Sequence, residues 1–149
     1  MIEKWQRLAS KLLLDLRILK VLEVTASSKR GIAPHPFYVF DTVDWINVLP
    51  ITSDGQVVFV KQYRHGSDEI SLEIPGGMVD PGEAPEVAAA RECLEESGFS
   101  ASGLISLGAL RPNPAIFNNF LHTFVAFDVH HVGEIQNTAT EETELVLLD

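Results

Sequence analysis

The feature that most constrains this chain is a run of small, acidic and turn-forming residues between Gly77 and Phe99, GMVDPGEAPEVAAARECLEESGF. Proline suits the first turn of a helix, where its missing N–H costs nothing, and Pro85 stands at such a position. Glycine commonly ends a helix in the left-handed conformation, and Gly98 follows Ser97. The run therefore predicts one helix that begins near Pro85 and ends at Ser97.

The spacing of side chains within this helix predicts two different faces. Val87, Ala90 and Leu94 recur at helical intervals and predict an apolar stripe, flanked by Cys93, that packs on a sheet. Glu95 and Glu96 lie three and four positions after Glu92, so the carboxylates of each pair are neighbours on the helix and repel one another. A hard cation such as Mg²⁺ or Mn²⁺ reverses that repulsion, because carboxylate oxygens are its preferred ligands. A solvated acidic face remains the alternative if the three glutamates are taken alone.

The order of residues in the whole run matches a known pattern. Gly77 is followed after five residues by Glu83, and after seven more by REUxEExGU, where U is a bulky apolar residue. The chain thus resembles the Nudix hydrolase family. Cys93 and Phe99 occupy the two U positions, where aliphatic residues are common, and we interpret both as packing variations.

The resemblance implies a metal-dependent site with defined roles. It implies Glu92 and Glu96 as ligands of Mg²⁺ (or Mn²⁺), Glu95 as ligand of a further metal, and the Gly76 carbonyl as an additional ligand. Arg91 is expected to orient the glutamates in catalysis. The remaining residues of the box are given structural roles: Gly77, Glu83 and Gly98.

The resemblance also implies attack of water on a diphosphate, which requires a general base. In the ADP-ribose pyrophosphatase branch this base often comes from a mobile loop late in the chain, and residues 138–144 (TATEETE) fit that location. Glu141 and Glu142 are the candidates. An ordinary acidic loop explains either residue equally well.

Three features are similar to the branch that cleaves ADP-ribose and other nucleotide sugars: residues 60–66 (VKQYRHG), the LEIPGG stretch that leads into the box, and Pro114. Arg64 is then expected to bind a phosphate bidentately, although a surface arginine at a strand end is the alternative. In that branch the N-terminal third supplies dimer contacts, so the resemblance implies a homodimer.

Further substrate contacts are predicted from residue type. Trp45 and Phe117 can stack on a base, and Asn113 and Asn119 offer hydrogen-bond donors and acceptors to a sugar or a base. Each of these side chains equally suits an ordinary packed position.

The rest of the chain predicts strands around the one helix. We predict a strand over 17–25 after an ambiguous stretch 12–16, a loop over 26–36, and strands over 37–42, 46–52, 57–63, 69–74, 104–110, 120–129 and 144–148. Asp54-Gly55 between two apolar runs predicts a hairpin turn. The expected fold is α+β, a Nudix-like α/β/α sandwich around a mixed sheet, with an N-terminal antiparallel β region (1–44) before a Nudix domain (45–149). The second helix that the resemblance implies is not visible in the sequence before Asp149.

Composition restricts the partners. The formal net charge of −10 argues against nucleic acid or an anionic membrane as a general partner. A single cysteine fits a reducing cytoplasm, no apolar run is long enough to span a membrane, and the charged N-terminus does not resemble a signal peptide.

Three functions remain open. The leading one is hydrolysis of a nucleoside diphosphate sugar, with ADP-ribose as the first candidate substrate. The second is pyrophosphohydrolysis of nucleoside triphosphates or dinucleoside polyphosphates. The third is a regulatory module that binds nucleotides without turnover, against which the complete set of box glutamates argues.

Overall fold

The computed structural model describes residues 1–149, which form two units. The first unit comprises residues 1–43 and 111–120, and the second comprises residues 44–110 and 121–149. The segment 111–120 thus belongs with the N-terminal region, although the predicted boundary assigned it to the Nudix domain. The assignment of separate roles to the two regions stays a prediction.

The first unit contains a three-stranded antiparallel sheet in the order β1-β2-β3. Its strands are β1 (Gln6–Asp15), β2 (Lys20–Ser27) and β3 (His35–Asp41). Val24 and Ala26 on β2 are its buried apolar residues. The segment 111–120 joins β3 through an isolated bridge between Phe40 and Phe117, whose rings lie 5.2 Å apart in an edge-to-face arrangement.

The second unit contains a mixed sheet and one helix. The path through the sheet is β11-β5-β4-β10-β8, while β6 pairs with β5, β7 with β4 and β9 with β10. The elements are β4 (Trp45–Thr52), β5 (Val57–Arg64), β6 (Glu69–Glu73), β7 (Gly76–Met78), α1 (Pro85–Ser97), β8 (Phe99–Ser100), β9 (Ile105–Leu110), β10 (Leu121–His131) and β11 (Thr143–Leu148). Only β4 and β10 pair in parallel, so the predicted α+β class and mixed sheet are confirmed. With 13 residues, α1 does not meet the length and apolarity that a membrane crossing requires.

The predicted hairpin between β4 and β5 is confirmed. The Thr52 N–H donates to the Gln56 carbonyl at 2.9 Å, and the Gly55 N–H donates to the Thr52 carbonyl at 3.0 Å. Gly55 has φ = 91°, which a residue with a side chain rarely adopts.

Several strand boundaries differ from the predictions. The strand predicted over 17–25 begins only at Lys20, because Leu16 to Leu19 form a tight turn in which the Leu16 N–H donates to the Leu19 carbonyl. Strand β1 begins at Gln6. The predicted loop 26–36 is shorter in the structure, because β2 extends to Ser27 and β3 begins at His35. The short strands β7 and β8 were not predicted, since pairs this short depend on their partner strands and carry no periodicity of their own.

The predicted bounds of α1 are confirmed, but the predicted apolar stripe is confirmed only in part: Ala90 and Leu94 are half-buried and the flanking Cys93 is buried. Gly98 is a left-handed C-cap with φ = 73°, and its N–H donates to the Leu94 carbonyl at 2.9 Å. Val87, however, is 58% exposed. The buried face of α1 consists of small side chains: Ala88, Ala89, Cys93 and Ser97.

The core of the second unit lies where this small-residue face of α1 packs against the sheet. Its members include Ile46 and Val48 from β4, Val58 from β5, and Phe124 and Ala126 from β10. Small side chains let the helix approach the strands closely.

Candidate active site

Arg91 links three of the glutamates on and before α1. Its Nε and Nη2 donate to both Glu83 carboxylate oxygens at 3.0 and 2.9 Å. Its Nη1 donates to Glu92 at 2.8 Å and to Glu95 at 3.2 Å. A guanidinium carries its donors in a rigid plane, so these bonds fix the carboxylates relative to one another.

The same arginine fastens the loop before the helix. Arg91 Nη2 also donates to the Met78 carbonyl at 3.2 Å, and the Asp80 N–H donates to Glu83 at 3.1 Å. The hydrogen bonds from Arg91 and from the Asp80 N–H lower the pKa of the Glu83 carboxyl, and the bond to Glu83 raises the pKa of Arg91. Glu83 therefore ties residues 78–83 to α1.

Two glycines leave room for the carboxylates of α1. A Cβ on Gly77 would overlap the carboxylate of Glu92, and it would lie 2.8 Å from Oε2 even at the more distant oxygen. A Cβ on Gly76 would lie 2.6 Å from the Ile46 carbonyl oxygen. The Gly76 N–H donates to the Glu96 carboxylate at 2.9 Å. Glycine at both positions is thus required by the close approach of β7 to β4 and to the helix.

The carboxylates of Glu96 and Glu92 lie where negative charge is poorly solvated. Burial, helped by the nearby charges of Glu92 and Glu141, raises the pKa of the Glu96 carboxyl to about 7, although the Gly76 N–H and Arg64 oppose the shift. Burial also raises the pKa of Glu92. Desolvation disfavours the charged form of each group, so both carboxylates gain from a nearby cation.

The chemistry of these donors fits a divalent metal ion. Carboxylate oxygens are the usual protein ligands of Mg²⁺, and the partly buried Glu92 and Glu96 carry more negative charge than Arg91 neutralises. Within residues 1–149 no three acidic, histidine or cysteine side chains already enclose one point. Arg91 instead forms ion pairs with Glu92 and Glu95.

Arg64, at the end of β5, is held by a glutamate of the neighbouring strand β6. Its Nε and Nη2 donate to the two carboxylate oxygens of Glu73 at 2.8 and 2.7 Å. This bidentate pair occupies one edge of the guanidinium, leaving the Nη1 side for another ligand. Glu96 and Glu141 are close enough to raise the pKa of Arg64, after the larger effect of Glu73.

A cleft of about 1180 Å³ lies beside Arg64. One wall is formed by residues 61–66 and Ile70, and the other by residues 137–144. Glu141 and Glu142 are exposed on this second wall. The structure thus brings Arg64 and the two candidate bases to one cleft, and the electrostatic influence of Glu141 reaches Glu92 and Glu96.

The segment 136–143 is fastened to the last turn of α1. The Gln136 N–H donates to the Glu95 carbonyl at 2.8 Å, and the buried Thr143 hydroxyl donates to the Glu96 carbonyl at 2.8 Å. The Thr143 N–H donates to the Asn137 side chain at 2.9 Å. These donors satisfy carbonyls that a helix end leaves without a partner within the helix.

Comparison with known proteins identifies the family. The NUDIX domain model matches residues 43–148. This chain belongs to the Nudix family. It is 33% identical over 116 residues to the ADP-ribose pyrophosphatase of Bacillus subtilis (strain 168), which covers 78% of this chain and 59% of that protein.

The chain is also similar to two further proteins. It is 34% identical over 100 residues to the methanol dehydrogenase activator of Bacillus methanolicus, covering 67% of this chain and 50% of that protein. A crystal structure of an ADP compounds hydrolase superimposes with a TM-score of 0.83 at 25% identity, over 99% of this chain and 79% of that one. The chain spans between half and three-fifths of the length of the two curated relatives.

The other predicted substrate residues of this Nudix chain fall in different places. Trp45 begins β4 in the second unit and is half-buried. Asn113, Phe117 and Asn119 belong to the first unit. Asn119 is only 2% exposed; its Nδ2 donates to the Val43 carbonyl, and its Oδ1 is a buried acceptor without a hydrogen-bond partner.

Three residues of the Nudix site were not singled out from the sequence: Glu73, Asn137 and Thr143. Glu73 lies inside the LEIPGG stretch, where a charged residue in an apolar strand before Pro-Gly-Gly was a usable signal. Thr143 and Asn137 act on α1 over a long separation in sequence, and hydroxyl and amide side chains in a polar segment give no such signal.

Proposed function

We propose that this chain hydrolyses the diphosphate bond of a nucleoside diphosphate sugar, with ADP-ribose as the first candidate. Water adds across the P–O–P bridge, giving a nucleoside monophosphate and a sugar phosphate. One observation supports this most. The partly buried glutamates of the Nudix helix, which are expected to bind a cation, lie in the same unit as a cleft lined by Arg64 and by the exposed acids of segment 137–144. The names of the relatives, ADP-ribose pyrophosphatase and ADP compounds hydrolase, agree with this substrate class.

We propose Mg²⁺, or Mn²⁺, as the metal, held by Glu92 and Glu96, with Glu95 and the Gly76 carbonyl as further ligands. A bound divalent cation supplies polarisation of a phosphoryl oxygen and lowers the pKa of water. Arg91 keeps the carboxylates oriented through its bonds to Glu83, Glu92 and Glu95. Gly77 lets the backbone of β7 pass close to the Glu92 carboxylate, and Gly98 ends α1 as its left-handed cap.

Residues of the cleft are proposed to accept the proton of the attacking water and to bind a phosphate of the substrate. Glu141, or its neighbour Glu142, accepts the proton of the attacking water, since both carboxylates are exposed in the cleft wall. The free edge of Arg64 binds a phosphate while Glu73 holds the opposite edge. Trp45, Asn113, Phe117 and Asn119 remain the proposed contacts to the base and sugar.

We also propose a homodimer in a reducing cytoplasmic compartment. The N-terminal strand β1 is exposed along its whole length although it is rich in leucine, as a strand in a subunit interface would be in an isolated chain. The single cysteine, Cys93, is buried and free.

The decisive experiment measures products from a panel of substrates. The protein is incubated with ADP-ribose, other nucleotide sugars, nucleoside triphosphates and diadenosine polyphosphates, with Mg²⁺, with Mn²⁺ and with a chelator. We expect AMP and ribose 5-phosphate from ADP-ribose, and no reaction in the chelator. Pyrophosphate release from triphosphates as the dominant activity would replace this proposal with the second function.

A second candidate, nucleotide binding without turnover, is suggested by the similarity to a methanol dehydrogenase activator. The intact set Glu92, Glu95 and Glu96 favours turnover, since these are the acids that we propose as metal ligands. Tight ADP-ribose binding in calorimetry without any product would favour the regulatory function instead.

A further inference from the structure

The polar segment that carries the candidate bases is joined to α1 by side-chain and backbone bonds. Thr143 is 8% exposed, and its hydroxyl donates to the Glu96 carbonyl at 2.8 Å. The Glu96 carboxylate also accepts a hydrogen bond from the Gly76 N–H. Glu96 thus bonds β7 through its side-chain carboxylate and segment 137–143 through its backbone carbonyl.

The segment is also organised internally around two polar side chains. The Asn137 carboxamide oxygen accepts a hydrogen bond from the Thr143 N–H at 2.9 Å, which joins the two ends of the segment. The Thr138 hydroxyl accepts the Glu141 N–H at 3.1 Å, and the Thr138 N–H donates to the Glu141 carbonyl at 3.0 Å. The backbone of Glu141 is therefore fixed to Thr138, next to the Asn137–Thr143 closure.

The placement of Glu141 matters because it faces negative charge. Glu141 is near enough to Glu92, Glu96 and Arg64 to act on each electrostatically. Carboxylates repel one another, and residues 137–142 are exposed, so they bury little surface that would hold them against that repulsion. The bonds from Thr143 and Gln136 to the helix carbonyls supply the opposing attraction.

We propose that Thr143 is a positioning residue for the hydrolysis: its hydroxyl, together with Asn137, sets the distance between the acid-bearing segment 137–143 and the glutamates of α1. This inference rests on the proposed function and adds a role outside the Nudix box. A misplacement of about 1 Å in a reacting group is enough to reduce a rate by up to about 100-fold, so a bond of this kind affects turnover more than binding.

The test compares Thr143→Val, which keeps the shape and removes the hydroxyl, with Thr143→Ser, which keeps the hydroxyl. Thr52→Val is the matched control, because the Thr52 hydroxyl also makes two bonds, to Asp54 Oδ1 at 2.5 Å and from the Gln56 N–H at 2.9 Å, in the β4–β5 turn. We expect Thr143→Val to lower kcat for ADP-ribose by about 10- to 100-fold with KM changed less than about threefold. We expect Thr143→Ser to restore most of kcat and Thr52→Val to leave it unchanged.

Amide hydrogen exchange on the metal-free protein gives a readout that does not depend on activity. We expect residues 136–144 to exchange faster in Thr143→Val than in the wild type, including the Gln136 amide that bonds Glu95, while Thr143→Ser and Thr52→Val match the wild type there. Asn137→Ala, which removes the acceptor of the Thr143 N–H, is expected to reproduce the exchange and kcat effects if Thr143→Val fails to fold.

The outcomes separate the two proposals. An active wild type in which Thr143→Val lowers kcat no more than Thr52→Val, or in which Thr143→Ser gives no rescue, overturns the positioning role. Unchanged exchange in both Thr143→Val and Asn137→Ala overturns it as well. A wild type that binds ADP-ribose without hydrolysing it overturns the proposed function instead, and the exchange data then still decide whether Thr143 fastens the segment.

Discussion

The carboxylate of Glu96 is buried, and it receives one hydrogen bond, from the Gly76 N–H. Glu96→Gln keeps an acceptor for that bond but removes the charge that a metal needs. We expect kcat for the diphosphate substrate to fall about 100-fold or more, which corresponds to roughly 3 kcal/mol of barrier. Glu86→Gln, at an exposed acid in the first turn of the same helix, is the control and is expected to keep full activity. Equal rates for the two variants would show that Glu96 holds no metal.

The same substitution has a second expected effect, on the pH dependence of stability in the metal-free protein. The pKa of Glu96 is raised from 4.5 to about 7, so between these values the folded protein holds a proton that the unfolded chain releases. The free energy of unfolding therefore falls as pH rises through this window, and Glu96→Gln removes that part of the slope. Urea unfolding with a chelator at about pH 5 and about pH 8 measures it. Parallel behaviour of wild type and variant would contradict the raised pKa.

At the scale of the element, the end of α1 is set by Gly98. Its φ of 73° disfavours any side chain, and a Cβ there would overlap the Gly133 carbonyl oxygen and lie 3.0 Å from His131 Nε2. We expect Gly98→Ala to lower the free energy of unfolding by about 2–4 kcal/mol, which adds the steric clash to the left-handed backbone cost of about 1 kcal/mol. Gly103→Ala is the control, since Gly103 has φ = 64° with no atom within 4 Å of the added Cβ. Equal losses for both variants would show that the contact with Gly133 costs nothing.

The same element shows what the sequence can and cannot predict. Pro85 and Gly98 fixed the bounds of α1 because the preferences of proline and glycine act on the local backbone. The prediction that Val87 is buried was wrong. Which side of α1 is buried, that of Val87 or that of Ala89 and Cys93, depends on contacts with the sheet, which is distant in sequence. Likewise, the box residues predicted which glutamates approach one another, whereas the bond from Thr143 to α1 has no local signature.

At the scale of the whole molecule, the first unit exposes more leucine than a lone subunit usually leaves in water. The exposed residues of β1 and the following turn include Leu8, Leu12, Leu13, Leu14 and Leu16. We expect a dimer in light scattering at micromolar concentration, and a monomer for the double variant Leu12→Glu/Leu13→Glu, because the paired glutamates would bring charge into the interface.

The control for this variant is Leu107→Glu, which introduces a glutamate at a 61% exposed leucine of β9 in the second unit. It is expected to stay dimeric. Circular dichroism of each variant verifies that the sheets remain folded. A monomeric wild type, or a double variant that stays dimeric while folded, would show that β1 is not a subunit interface.

Arg91 affects whether a metal ion is needed for folding. Its guanidinium already neutralises part of the repulsion among the acids of α1, and it does so with a group that never loses its proton at physiological pH. The polypeptide can therefore reach its native shape in a cell compartment poor in free magnesium. Under the proposed function, we therefore expect the ion to bind together with the nucleotide after folding, rather than to be needed for folding.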